Sequence, residues 1–139
     1  MIENDLSLEH LKKINDFIIL KSKDTLWSKF VLMLRIQMKT GIDPKIIVSI
    51  ENKDIDETNR SIKLPNKLIS FSKPNDDNLW DSIMDRKSDS KYLFYRTRIQ
   101  FYPRYKYSLE VDQDLDLLSS PEFFKRKFKQ MKLVLDTHF

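Results

Sequence analysis

Apolar residues recur along the first forty positions at the spacing of α-helices. Between residues 8 and 18, leucines and isoleucines lie three or four positions apart, which predicts an amphipathic helix over 8–20. Over 26–40 apolar side chains occupy nearly the whole helical wheel, a pattern typical of a helix that is buried on all sides. The chain therefore begins with a surface helix followed by a central one.

The end of the central helix is marked by a glycine. Gly41 is the only glycine in the sequence, and it stands where a helix C-cap needs a residue that tolerates positive φ. Asp43 and Pro44 follow as an N-cap and a first-turn proline. These residues predict a short second helix that runs to about Ile50.

Alternation with period two replaces helical spacing in the next segment. Residues 61–64 and 68–71 alternate apolar and polar side chains on either side of a turn at 65–67. This arrangement predicts two short antiparallel strands joined as a hairpin.

Helical spacing returns in the second half of the chain. It predicts helices over 76–84 and over 121–135, the latter opened by Ser120 as an N-cap. Residues 92–95 fit either a strand or a helix. Together the elements predict one mainly α-helical domain over 1–139 with a small antiparallel β-sheet, an α+β fold.

Composition narrows the chemistry that this domain can perform. The 139 residues contain no cysteine and two histidines, His10 and His138, which excludes disulfides, thiolate nucleophiles and cysteine-based zinc sites. We therefore expect no metal and no other cofactor. No apolar run approaches the roughly 18 residues of a membrane span, so we expect a cytoplasmic protein without a membrane partner.

Charge is distributed unevenly along the chain, whose net charge is +4. Residues 91–107 carry five basic side chains and no acid, and 108–118 carry four acids and no base. These blocks predict a polarised surface. The mixture of basic and aromatic residues in 91–107 fits phosphate contacts with ring stacking on bases, and it fits equally an aromatic core strand with a basic outer face.

The last predicted helix is also rich in basic residues. Several positive charges on one helix suit contact with a DNA backbone, although a lysine-rich solvated face explains the pattern as well. The residues concerned are Lys125, Arg126, Lys127, Lys129 and Lys132.

Several motifs resemble the catalytic domain of tyrosine recombinases, the phage integrase family. In that family a buried helix ends in Thr-Gly-Leu-Arg, a short helix follows, and Asp-Ile-Asp leads into a small sheet; here the sequence reads Thr-Gly-Ile-Asp at 40–43 and Asp-Ile-Asp at 54–56. The resemblance spans most of the chain. Its other parts are 6–14, 60–62, 91–94 and 124–137.

The resemblance implies a catalytic apparatus that is largely missing here. The family uses arginines to clamp the scissile phosphate, a hairpin lysine to protonate the leaving oxygen and a distal tyrosine as the nucleophile. Asp43 stands in place of the first arginine, which would cost about 4 kcal/mol for unit charges about 4 Å apart at an effective dielectric near 20. Lys67 and His138 are candidate remnants.

The second arginine and the nucleophile have no counterpart within these 139 residues. The sequence given ends one residue after His138, and all five tyrosines lie between Tyr92 and Tyr107, before the family's nucleophile position. We therefore expect double-stranded DNA binding without strand cleavage, by an accessory or regulatory factor derived from an integrase or by a remnant of a mobile element, located at the nucleoid.

Two alternatives remain open on sequence grounds. The chain could be part of an active recombinase whose missing residues come from another chain or from further sequence, or it could be a protein-interaction module on the same fold. Self-association, or association with a full-length recombinase, is compatible with each. The residues predicted to contact DNA are Lys45, Lys67, Arg96, Arg98, Arg104, Lys106, Lys125, Arg126 and Lys129.

Overall fold

The fold is α+β, as the sequence predicts. The computed structural model describes residues 8–21, 24 and 27–138. Its helices are α1 (Leu8–Lys21), α2 (Ser28–Thr40), α3 (Pro44–Val48), α4 (Asp77–Arg86) and α5 (Pro121–His138). Its strands are β1 (Ile55–Asp56), β2 (Ser61–Leu64), β3 (Lys67–Ser70), β4 (Tyr95–Tyr102) and β5 (Tyr107–Leu118).

Helix α2 occupies the centre of the molecule. It packs against α1, α3, α4 and α5, and apolar side chains all round it, including Phe30, Met33 and Ile36, are fully buried. Each such side chain contributes about 1.5–3 kcal/mol when it leaves water. The prediction of a central buried helix is confirmed. The helix begins at Ser28, whereas the predicted first residue, 26, lies outside the described residues.

The junction between α2 and α3 follows the predicted capping. Gly41 adopts a left-handed conformation with φ 69°, and its N–H donates to the carbonyl oxygen of Gln37 over 2.7 Å. One carboxylate oxygen of Asp43 accepts from the backbone N–H of Lys45 over 2.8 Å, and Pro44 is the first helical residue. Asp43 therefore acts as the N-cap of α3.

Strands β1, β2 and β3 form one antiparallel sheet in that order. Ile62 pairs with Ile55 on one side and with Ile69 on the other, and all three side chains are buried. The predicted hairpin is confirmed. Its turn is one residue shorter than predicted, because Lys67 already pairs with Leu64.

Strands β4 and β5 form a second, two-stranded antiparallel sheet that the sequence did not predict. The two strands pair along most of their length, with register shifts after Tyr95 and after Arg98. Along β5, from Tyr107 to Leu117, apolar or aromatic residues alternate with polar ones except at Gln113, which is the period-two signal of a strand. The prediction did not use this signal, and the leucine and valine side chains described on β5 prove to be exposed.

A connecting segment anchors this hairpin to the core. Leu93 and Phe94 are fully buried; the N–H of Leu93 donates to the carbonyl oxygen of Ile50, and the carbonyl oxygen of Phe94 accepts from the N–H of Ser119. Of residues 92–95, which fitted either a strand or a helix, Tyr95 belongs to a strand and the rest form this connection.

The left-handed cap at Gly41 leads to the first prediction. Replacing Gly41 with Ala should lower the free energy of unfolding by about 1–2 kcal/mol, because a Cβ atom clashes with the backbone at this φ. Asn tolerates the left-handed region better, so Gly41→Asn should lose less. Urea unfolding followed by circular dichroism measures both, and equal stability of the two variants would contradict the capping role.

Candidate nucleic-acid interface

Helix α5 exposes three of the predicted DNA-contacting residues on one side. Lys125, Arg126 and Lys129 are exposed, whereas Phe124 and Met131 face the core. The apolar spacing of α5 fixes which side is buried, and the basic side chains occupy the remaining surface. We call Lys125, Arg126 and Lys129 the α5 basic face.

The α5 basic face borders a groove of about 690 Å³. Gly41, Asp43 and Pro44 form the opposite wall, at the junction of α2 and α3. The structure thus brings Asp43 and the α5 basic face to one groove, although they lie about eighty positions apart in sequence. Because Asp43 and Glu122 both line it, the groove carries negative as well as positive charge.

A buried amide also lines this groove. Gln37 is 2% exposed, and its Oε1 atom has no hydrogen-bond partner in the described part of the chain. A buried acceptor without a donor costs about 1–3 kcal/mol, so this side chain is a weak point in the packing of α2. Sequence analysis did not single out Gln37.

The turn of the β4–β5 hairpin gathers three tyrosines. The ring centroids of Tyr102 and Tyr107 are 5.2 Å apart, and those of Tyr105 and Tyr107 are 5.9 Å apart. The Arg104 guanidinium lies 5.7 Å from the Tyr105 ring, and Tyr105 is 63% exposed. We call these residues, with Lys106, the hairpin tip. An aromatic core strand is therefore wrong for the hairpin tip. The buried part of 91–107 is Leu93 and Phe94, which precede β4.

The acidic and basic blocks face each other across the hairpin. Arg96 pairs with Asp114, and Arg98 pairs with Asp112, so opposite charges lie side by side on the ladder. The two blocks therefore do not form separate surfaces, contrary to the expected polarisation. Among the basic residues of 91–107, Lys91, Arg104 and Lys106 lie outside this ladder.

The other predicted residues lie apart from these surfaces. Lys45 and Lys67 are exposed, on α3 and at the start of β3, and neither belongs to the described lining of the groove. The side chains of His10 and His138 lie outside the described residues, so the predicted remnant role of His138 stays a prediction. Lys67 is not brought to the groove that contains Asp43.

Lys29 is the most unusual ionisable group of the described chain, and sequence analysis missed it. It is 6% exposed, and its Nζ donates to Thr97 Oγ1 over 3.0 Å, to Ser119 Oγ over 3.1 Å and to the carbonyl oxygen of Tyr95 over 3.4 Å. Lys29 thereby ties β4, and the residue that follows β5, to α2. The available signal was a lysine in the first turn of a helix whose apolar residues occupy nearly the whole helical wheel.

The surroundings of Lys29 disfavour its charged form. Burial, and secondarily the positive charges of Arg86 and Lys127, lower the pKa of Lys29 from 10.5 to about 8, although Glu110 opposes the shift. Burial also lowers the pKa of Arg86, whose Nε donates to the carbonyl oxygen of Leu93 over 2.8 Å. The charged groups of Lys29 and Arg86 therefore donate mainly to neutral oxygen atoms.

No family model, no curated protein and no solved structure matches this chain. In the part of the chain that the structure describes, no helix has the length and apolar character needed to cross a bilayer.

The lowered pKa of Lys29 predicts that stability depends on pH. The unfolded chain keeps the Lys29 proton up to about pH 10.5, whereas the folded protein loses it near pH 8. Between these values the unfolded state binds more protons, so stability rises with pH. Relative to Lys29→Met, the free energy of unfolding of the wild type should increase by about 2 kcal/mol from about pH 7 to about pH 9.5.

Urea unfolding at several pH values tests this prediction, with Lys39→Met as the matched control because Lys39 lies on the same helix and is exposed. The control should follow the wild type. A carbon chemical-shift titration of the Lys29 side chain gives an independent measure, and a midpoint near 10.5 would show that burial does not perturb the amine.

Proposed function

We propose that this protein binds double-stranded DNA through its phosphate backbone and does not cut it. The observation that carries the proposal is the α5 basic face. Arg126 and Lys129 have no ion-pair partner among the described residues, and Lys125 has one, Glu122, at 3.4 Å with both side chains largely exposed. Such a pair contributes little, so all three cations are available to phosphates.

The hairpin tip supports the same function with a different kind of contact. Arg104 and Lys106 add positive charge beside exposed tyrosine rings. Aromatic rings stack on bases without regard to sequence, and basic residues hold the backbone. The α5 basic face and the hairpin tip therefore suit a binder that recognises nucleic acid with little sequence preference.

The surroundings of Asp43 support binding without cleavage. Its carboxylate caps α3 at the position where the recombinase resemblance implies a phosphate-clamping arginine. A carboxylate there repels a phosphate and cannot donate a hydrogen bond to it. Together with the resemblance, this arrangement suits an accessory or regulatory factor derived from an integrase, or a remnant of a mobile element.

A protein-interaction module is the second candidate, and exposed apolar residues of the hairpin favour it. Phe101 is 58% exposed, and Leu109 and Val111 are also exposed. Leu109 lies on one face of the hairpin and Phe101 on the other, because Leu109 pairs with Gln100 and Phe101 with Ser108. Exposed apolar side chains on this hairpin suit contact with another protein, including a second copy of this chain.

Binding to DNA should depend strongly on salt. About four phosphate contacts predict a slope near −3.6 in a plot of log affinity against log salt, because each neutralised phosphate releases counterions with a slope of about −0.9. Reversing all three charges of the α5 basic face to glutamate should weaken binding to every sequence alike, since backbone contacts do not read bases. Fluorescence anisotropy with a labelled duplex measures both effects.

The matched control reverses three exposed lysines elsewhere, Lys53, Lys63 and Lys73, which changes the net charge equally. This control should retain most of the affinity. If the wild type shows no salt-sensitive binding at about 50 mM salt, DNA binding is wrong and the protein-interaction module becomes the better proposal.

No covalent DNA adduct should form with a suicide substrate. Asp43 repels the phosphate, and three of the five tyrosines, Tyr102, Tyr105 and Tyr107, lie in or beside the turn of the β4–β5 hairpin, outside the groove that contains Asp43. Denaturing gel electrophoresis and mass spectrometry detect an adduct. One mapped to any tyrosine of this chain would refute the prediction.

A further inference from the structure

A second cavity, of about 390 Å³, lies where the β4–β5 hairpin meets the start of α5. Its described lining contains no carboxylate. The polar part of the lining consists of two guanidinium groups, one ammonium group and three hydroxyl groups, from Arg96, Arg126, Lys29, Thr97, Ser119 and Ser120. We call it the root cavity.

Two of the three hydroxyl groups of the root cavity are oriented by Lys29, whereas Ser120 Oγ accepts from the backbone N–H of Glu122. Thr97 Oγ1 and Ser119 Oγ each accept a hydrogen bond from Lys29 Nζ, and Ser119 is buried. A hydroxyl that accepts still has its own proton to donate. These two protons have no acceptor among the described residues, so both remain available to an acceptor in the cavity.

The charge around Lys29 is unbalanced. No carboxylate forms an ion pair with its Nζ in the described part of the chain, and the nearby cations Arg86 and Lys127 add to the positive potential, with Glu110 as the opposing acid. Burying a cation is costly unless a counter-charge accompanies it. An anion in the root cavity would supply that counter-charge.

We propose that the root cavity binds a tetrahedral oxyanion of the phosphate class. Arg96 and Arg126 hold it at the exposed mouth, where guanidinium groups suit paired contacts with phosphate oxygens. Lys29 lies on the buried side and supplies charge, and the hydroxyl groups donate to the remaining oxygens. The same chemistry accommodates a free phosphate or a phosphate of the DNA backbone, and only the second source rests on the proposed function.

Sulfate is the best first probe, because its charge is constant between about pH 7 and about pH 9. We expect sulfate to stabilise the wild type beyond sodium chloride at equal ionic strength, measured by thermal unfolding and calorimetry. Replacing both Arg96 and Arg126 with glutamine should reduce sulfate affinity at least tenfold. The matched control, Arg98→Gln with Lys132→Gln, lies on the same two elements outside the root cavity and outside the α5 basic face, and it should bind sulfate as the wild type does.

The pH dependence of sulfate binding tests the part assigned to Lys29. The charged groups facing it are Arg96 on β4, Glu110 on β5, Arg86 on α4, and Arg126 and Lys127 on α5. With a Lys29 pKa of about 8, affinity should be about tenfold lower at about pH 9 than at about pH 7, if the charged amine is required. Lys127→Gln should keep this dependence, and Lys29→Met should lose it.

The two sources of phosphate are distinguished by competition. If sulfate displaces a labelled duplex, and the double glutamine variant weakens both ligands, the cavity holds a backbone phosphate. If sulfate binds without displacing the duplex, the cavity holds a free anion. The inference is overturned if sulfate stabilises the wild type no more than sodium chloride does. It is also overturned if sulfate stabilises the double glutamine variant as much as the wild type. In either case, duplex binding through the α5 basic face would still stand.

Discussion

The burial of Lys29 on α2 is the constraint on which the position of the β4–β5 hairpin depends. Its side chain is 6% exposed, because the hairpin and α5 cover this side of α2 and bring Thr97 and Phe123 against its Nζ. Lys29 donates to oxygens of β4 and of Ser119, the residue that follows β5. One amine therefore fixes the root of the β4–β5 hairpin relative to α2, and it creates an unbalanced positive charge beneath the start of α5.

The parts of the fold that could be predicted from the sequence are those set by local periodicity and capping. The left-handed Gly41, the Asp43 cap and the isoleucine pairing of β2 with its neighbours are set by residues close in sequence, so pattern and capping chemistry sufficed. The β4–β5 hairpin was not predicted although apolar and polar residues alternate along β5. What the sequence could not indicate is that the apolar side chains of β5 are exposed and that the strands contain register shifts. Cross-strand pairing of acids with bases, which sets its charge, depends on a register that composition does not encode.

The candidate site could likewise be predicted only in part from the sequence. The basic residues of α5 were visible in sequence, since a helix with one apolar stripe must expose the rest. Their position opposite Asp43 depends on the tertiary packing of α5 against α2 and α3, which no local pattern contains. Lys29 was overlooked because lysine is rarely buried. Its position in a helix of buried apolar residues gave no indication that its amine is buried or of which oxygens accept from it.

Arg126 lines both the groove that contains Asp43 and the root cavity, and the two differ in charge. The groove has a carboxylate on each wall, Asp43 and Glu122, whereas the described lining of the root cavity has none. A phosphate near Arg126 should therefore favour the root cavity, because no carboxylate belongs to its described lining. The nearby acids are Glu110, which acts on Lys29, and Asp114, which pairs with Arg96 across the ladder. DNA held in this way would follow α5 towards the hairpin and away from Asp43. Under the proposed function, binding without cleavage would then be a consequence of where the positive charge lies.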